Sequence, residues 1–301
     1  MTTAEYVYLP IISAVGLLCN AVSFSYFIRT RKELSNRLLA YLNITDMAVS
    51  LAVFLYLFSP EFQDFVVGTV FKTFSSHVFR SSILVTGLIT IYLNILRTSV
   101  IIWPMVRFRK RPIIASLIFF MAVFVGIEAL LGVFCTYPWI LYLSEKETGA
   151  EASLPYSLDD PLFKFYFLAP PIFGTPIILL VTVCCLVSTL TLLRANETLH
   201  EVEDNAVRRK AAITVLILGF LYLVCNTIWL TLTCVCVDYV YSSPQGSTAV
   251  YQKQELFCTL STLALIVNSA LNPIVYICRV KKLQEHFVNI ARCFCLKRRE
   301  E

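Results

Sequence analysis

Six polar side chains stand inside stretches that are otherwise apolar, and they are the residues with chemistry to do. Asp46 lies in LLAYLNITDMAVSLAVF, Asn20 in GLLCNAVSF and Arg97 in YLNILRTSVIIWP, while Asn268, Ser269 and Asn272 fall together in LIVNSALNPIVY. A charge in hydrocarbon costs roughly 2.5–3.5 kcal/mol on insertion scales, so such residues are kept only where they find partners or perform a function. If their helices face one another, the carboxylate, amides and hydroxyl satisfy each other in a network that holds the helices in register. Pro273 removes one donor from its own helix, and the adjacent Asn272 can bond the freed carbonyls, which leaves a point at which the helix can bend. Arg97 is always charged and must reach partners or water, unless it only snorkels as a topology anchor.

The elements that carry these residues follow from composition. The 301-residue chain is 57% apolar and 15% charged, with a mean hydropathy of +0.72. A water-soluble domain rarely carries such values, and they point to an all-α membrane protein that spans the bilayer several times. Seven apolar stretches, near 7–28, 37–59, 78–103, 113–137, 165–193, 211–237 and 256–278, each match the ~20 residues needed to cross the hydrocarbon. The runs stay apolar on consecutive residues, unlike the alternating strands of an outer-membrane barrel, and the connections are too short for a separate soluble domain. Residues 1–301 therefore read as one bundle, preceded by a short segment 1–6 that lacks a cleavable leader's basic start and small-residue site. After the last span, Val280, Leu283, Phe287 and Ile290 recur at helical spacing in VKKLQEHFVNIA, which predicts a short amphipathic helix in the membrane interface. Cys293 and Cys295 beside Lys297, Arg298 and Arg299 are a setting for reversible acylation, or two unmodified thiols.

Charge fixes the expected orientation. Nineteen of the 25 Lys and Arg residues fall in segments 29–37, 104–112, 194–210 and 279–301, and five on the opposite side. Basic loops face the cytosol, so the N-terminus is expected outside and the C-terminus inside. The longest outer connection, about 138–164, is acidic. No internal repeat stands out, so an inverted-repeat transporter gains no support.

At these residues the chain resembles a divergent member of the rhodopsin-like (class A) G-protein-coupled receptors, from Asn20 to Phe287. NSALNPIVYICRVKKLQEHF is similar to the family's NPxxY and eighth helix, through Asn268, Ser269, Asn272, Pro273, Tyr276 and Phe287. Leu42 to Asp46 supplies the family's LxxxD, and Arg97 with Pro104 seven residues on supplies the spacing of its DRYxxIxxP region. The resemblance implies a plasma-membrane receptor that passes the binding of an extracellular ligand to a heterotrimeric G protein. It implies no cofactor beyond an allosteric sodium ion held by Asp46, Thr86, Asn268 and Ser269, a carboxylate, hydroxyls and an amide suited to a hard cation. Arg97 would meet the G-protein α subunit when helix six swings outward, with Tyr276 rearranging around it.

The departures are specific. Leu96 and Thr98 flank Arg97 where the family has an acid and a tyrosine, so the acid's restraint on the arginine is missing, which points to basal activity or altered coupling. Asn226 and Ile228 stand in place of the helix-six toggle tryptophan and kinking proline, and Cys184 in place of the helix-five tyrosine. The family's outer disulfide cannot form, because its helix-three position is Lys72 and stretch 138–164 contains no cysteine. Cys236, or Cys234, could instead pair with Cys258 across the outer ends of helices six and seven, the alternative being free thiols.

The resemblance places the ligand among Phe79, Arg80, Ile83, Trp229, Leu230, Thr233 and Thr262. Arg80 there would meet an anionic ligand group, or else an outer-loop acid. Stretch 256–278 has no lysine for a retinal Schiff base, and Phe79 occupies the amine-anchoring position, which disfavours an opsin and an amine receptor. Glu128 is the other intramembrane acid, and its partner is not legible. The competing class is a transporter or channel with Asp46, Asn268 and Asn272 as a cation path. An enzyme is not expected, since an intramembrane hydrolase needs a nucleophile and base that no span supplies, and nothing points to nucleic acid.

Overall fold

The computed structural model describes residues 3–58, 65–102, 109–136, 161–198, 203–242 and 248–297, and in these it is an all-α membrane bundle. Eight α-helices run through the described residues: α1 Thr3–Arg29, α2 Leu34–Phe58, α3 Phe65–Ile102, α4 Lys110–Leu131, α5 Pro161–Thr198, α6 Glu203–Ser242, α7 Thr248–Arg279 and α8 Lys281–Lys297. The first seven contain stretches long and apolar enough to cross a membrane, Tyr8–Arg29, Leu34–Leu57, Phe74–Val100, Arg111–Phe134, Ile172–Arg194, Ala212–Val235 and Thr259–Arg279. The expected outer connection 138–164 lies largely outside the described residues, as does Pro104.

Helix α3 starts thirteen residues before the apolar stretch drawn at 78, because FVVGTVFKTFSSH holds no proline to stop it. α4 runs straight into a π-helical turn, Gly132–Thr136, that hydropathy does not signal. Leu117, Glu128 and Leu131 are its buried residues, while Phe119, Phe120, Val123 and Leu130 lie exposed on the face left for lipid.

α3 occupies the middle, touching α2, α4, α5 and α6, while α1 closes the ring against α2 and α7. Gly16 is where the ring tightens: a Cβ there would stand 3.0 Å from Ser50 Oγ and 3.5 Å from Ala270 Cβ, so the missing side chain lets α1 approach α2 and α7 together. The largest core cluster joins Phe27, Leu38, Leu42, Ile89, Leu93, Leu218, Tyr276 and Leu283, drawing on α1, α2, α3, α6, α7 and α8. Val280 N–H still bonds Tyr276 O at 2.8 Å, and Leu283 N–H bonds Val280 O at 2.9 Å, so backbone hydrogen bonds carry the chain from α7 onto α8. Leu283 is then fully buried while Lys281 and Lys282 stay exposed, the amphipathic arrangement expected from their spacing.

Candidate functional site

The polar residues singled out by sequence form a buried column between α1, α2 and α7. Asn20, Asp46, Asn268, Ser269 and Asn272 are each at most 4% exposed. Asn272 Nδ2 donates to Asp46 Oδ2 at 2.8 Å, and Asn20 Nδ2 donates to the carbonyls of Gly16 at 2.8 Å and Ser269 at 3.0 Å. Asn20 thereby ties α1 to α7, and Asp46 ties α2 to α7 one residue before Pro273. Ser50 Oγ donates to Asp46 O at 3.0 Å, completing the α2 side. Thr86 is also buried, and its hydroxyl lies 3.0 Å from Thr45 Oγ1, so α3 joins the column through a hydroxyl pair next to Asp46 in sequence.

Four oxygens in and beside this column are buried without a hydrogen-bond partner among the described residues: Asp46 Oδ1, Asn268 Oδ1, Asn20 Oδ1 and Tyr276 Oη. A buried oxygen left unpaired costs about 1–3 kcal/mol, which a bound water or cation would recover. Carboxylate and amide oxygens are the ligand types a hard cation takes, so the residues present fit sodium. Among the described residues, no group of three or more His, Cys, Asp or Glu side chains is placed to hold a metal.

Toward the other end of α3, Arg97 is largely enclosed, and its Nε is buried without a hydrogen-bond partner. Leu96 beside it is 9% exposed and packs into the main core cluster, where the family resemblance would put an acid. One residue on from Arg97, the Thr98 and Ser188 hydroxyls hydrogen-bond and fasten α3 to α5. Tyr276 is fully buried and meets Phe27 edge-on at a ring separation of 5.4 Å, which fixes α7 to α1 just below the proline.

Near the opposite ends of the helices, Phe79, Ile83, Trp229 and Leu230 pack on one another and on Leu265. Ile83 and Trp229 are buried, Thr233 Oγ1 returns its hydrogen bond to Trp229 O at 2.8 Å, and Thr262 is half-buried. Phe79, Ile83, Trp229 and Leu230 therefore come together as an apolar cluster, and Arg80 follows Phe79 on α3. Arg80 Nε lies 3.5 Å from Glu128 Oε2 in α4, and His77 Nδ1 lies 3.3 Å from the same oxygen. Glu128 is 2% exposed, so the acid whose partner was not legible faces α3.

Sequence reasoning missed this His77–Arg80–Glu128 group. The three-residue spacing of His77 and Arg80 on one helix face was the available signal. It also missed Thr90 and Asn94, both buried, which continue Thr86 down α3 at intervals of four and bond back to Thr86 O and Thr90 O. Gly87 was passed over as well, although a Cβ there would stand 2.2 Å from Tyr222 Oη and 2.4 Å from Ile177 Cγ2. Its lack of a side chain is what lets Tyr222 of α6 and Ile177 of α5 reach α3.

Cys234 is an exposed free thiol, whereas the side chains of Cys236, Cys258, Cys293 and Cys295 lie outside the described residues. No family model matches the chain, and no curated protein matches it either.

Proposed function

We propose that the chain is a receptor of the plasma membrane, akin to the rhodopsin-like G-protein-coupled receptors, which passes the binding of an extracellular ligand to a heterotrimeric G protein. The observation that carries this reading is the 2.8 Å bond from Asn272 to Asp46 immediately before Pro273. It couples the one carboxylate of the polar column to the weak point of α7, and Tyr276 follows one turn later in the same core as the residues around Arg97. A change in the column therefore alters the bend of α7 and the packing over Arg97, which is the mechanical link a receptor needs. The lopsided distribution of Lys and Arg supports an extracellular N-terminus and a basic cytosolic face for the G protein.

Asp46 Oδ1 and Asn268 Oδ1, with the Ser269 hydroxyl, would hold sodium, which supplies a compact positive charge that pins α2 to α7. The apolar cluster of Phe79, Ile83, Trp229 and Leu230, flanked by Arg80, would receive the ligand. No residue is assigned a catalytic role. The unpaired oxygens of Asp46 and Asn268 also favour a second reading, a transporter or channel in which they form a cation path.

The test is basal nucleotide exchange on a panel of Gα subunits in membranes bearing this chain, with sodium varied and Arg97→Ala as control. Exchange that disappears with Arg97→Ala is the expected result. Folded protein that drives no exchange on any subunit but conducts sodium would replace this reading with the second.

A further inference from the structure

A cleft of about 210 Å³ opens between α1 and α2 beside the turn that joins them. Phe24 and Ile28 of α1 and Tyr41 and Ile44 of α2 line its depth, while Arg31 and Arg37 line its mouth. Ile28 and Ile44 are 38% and 43% exposed, on helices whose outer faces meet acyl chains. At 1.5 Å per residue, Ile44 lies about 10 Å deeper along α2 than Arg37. The cleft is thus cationic at the interface and apolar below it, the polarity profile of a phospholipid.

The mouth is built in advance of any ligand. Arg37 Nε donates to Arg31 O at 2.8 Å, and Asn36 Nδ2 donates to Thr30 O at 3.1 Å, so the turn is folded back on the start of α2. That bond uses one of Arg37's five donors, and the terminal amino groups of its planar fork remain for an oxyanion. Neither arginine has an ion pair with a carboxylate among the described residues, although Glu33 lies between them in sequence. Arg29 and Lys32 on the same turn add to the positive field.

We propose that this cleft binds one anionic phospholipid of the adjoining leaflet, with its headgroup on Arg31 and Arg37 and an acyl chain along Tyr41 and Ile44. A zwitterionic phosphatidylcholine offers the same phosphate and chains, but its choline cation opposes the arginine pair. Selectivity for net negative headgroups is therefore expected, on the order of five-fold for each arginine. The site needs only the membrane bundle and is independent of G-protein coupling.

The chain is tested in lipid nanodiscs, with Ile44→Trp placing a fluorescent indole in the cleft and the parent protein supplying the background of its three native tryptophans. Phosphatidylserine with brominated acyl chains should quench the installed indole at roughly twenty-five-fold lower mole fraction than brominated phosphatidylcholine, five-fold for each of the two arginines. Arg31→Gln/Arg37→Gln should abolish the difference, and Lys281→Gln/Lys282→Gln on α8 should leave it intact. Equal quenching by the two lipids overturns the site, as does a preference that survives loss of both arginines or is lost with the α8 lysines. Native mass spectrometry of the chain without the tryptophan reporter gives an independent readout. One retained phosphatidylserine, lost with Arg31→Gln/Arg37→Gln, supports the site, and retention unaffected by that change overturns it.

Discussion

Asp46 and Gly87 illustrate two ways in which a single residue matters in this chain. Asp46 is the one carboxylate of the column, with one oxygen bonded to Asn272 and the other unpaired. Asp46→Asn keeps the size of the side chain and removes its charge, so any sodium dependence of nucleotide exchange should vanish while the protein still folds. Exchange that responds to sodium as before would remove the carboxylate from the cation's coordination. Gly87 acts through what it lacks. Gly87→Ala would place a methyl 2.2 Å from Tyr222 Oη, and overpacking of this kind costs about 1–3 kcal/mol. Thermal unfolding in detergent should show a clear loss for Gly87→Ala and next to none for Gly126→Ala, whose added Cβ meets nothing within 4 Å.

Among the elements, α4 depends most on a charged contact, because it packs on α3 and leaves most of its surface to lipid. Glu128 facing Arg80 and His77 is its buried polar link. Removing one partner of a buried pair strands the other, at a cost of about 3–5 kcal/mol, whereas replacing both by apolar groups is often neutral. Glu128→Leu should therefore destabilise the bundle strongly, and Glu128→Leu/Arg80→Leu should recover much of the loss. Thermal unfolding of the two variants checks this, and equal losses would show that the contact contributes little. α7 differs in that its critical feature is a missing bond at Pro273. Pro273→Ala restores the ladder donor, and the expected outcome is a stiffer helix with a higher unfolding temperature and weaker basal exchange.

At the scale of the whole molecule, charge asymmetry decides which face meets the cytosol. An epitope fused to the N-terminus should be reached by antibody on intact cells, and one at the C-terminus only after permeabilisation. The reverse pattern would move Arg97 to the outer surface and end the G-protein reading. The membrane also explains the packing style. Lipid tails are as apolar as leucine, so burial of apolar surface does little to hold one helix to another, and close approach at Gly16 and hydrogen bonds such as Asn20 to Ser269 O do that work.

The spans and the amphipathic tail helix were legible because hydrocarbon imposes one requirement, a run of apolar residues that bonds its own backbone, and the sequence meets it segment by segment. The membership of the column was legible for the related reason that Asn20, Asp46, Asn268, Ser269 and Asn272 are expensive in lipid and stand out against their neighbours. Partner choice was not. Glu128 pairs with Arg80 and His77 some fifty residues earlier, Thr86 turns to Thr45, and Tyr222 fills the space over Gly87, because helix rotation and tilt are set by side-chain fit among several helices at once. The cleft beside Arg31 and Arg37 belongs to the same class: the basic turn is visible in one dimension, but the apolar trough beneath it exists only when α1 and α2 lie side by side. Hydropathy along a chain determines which segments enter the membrane, and only their packing decides which faces meet.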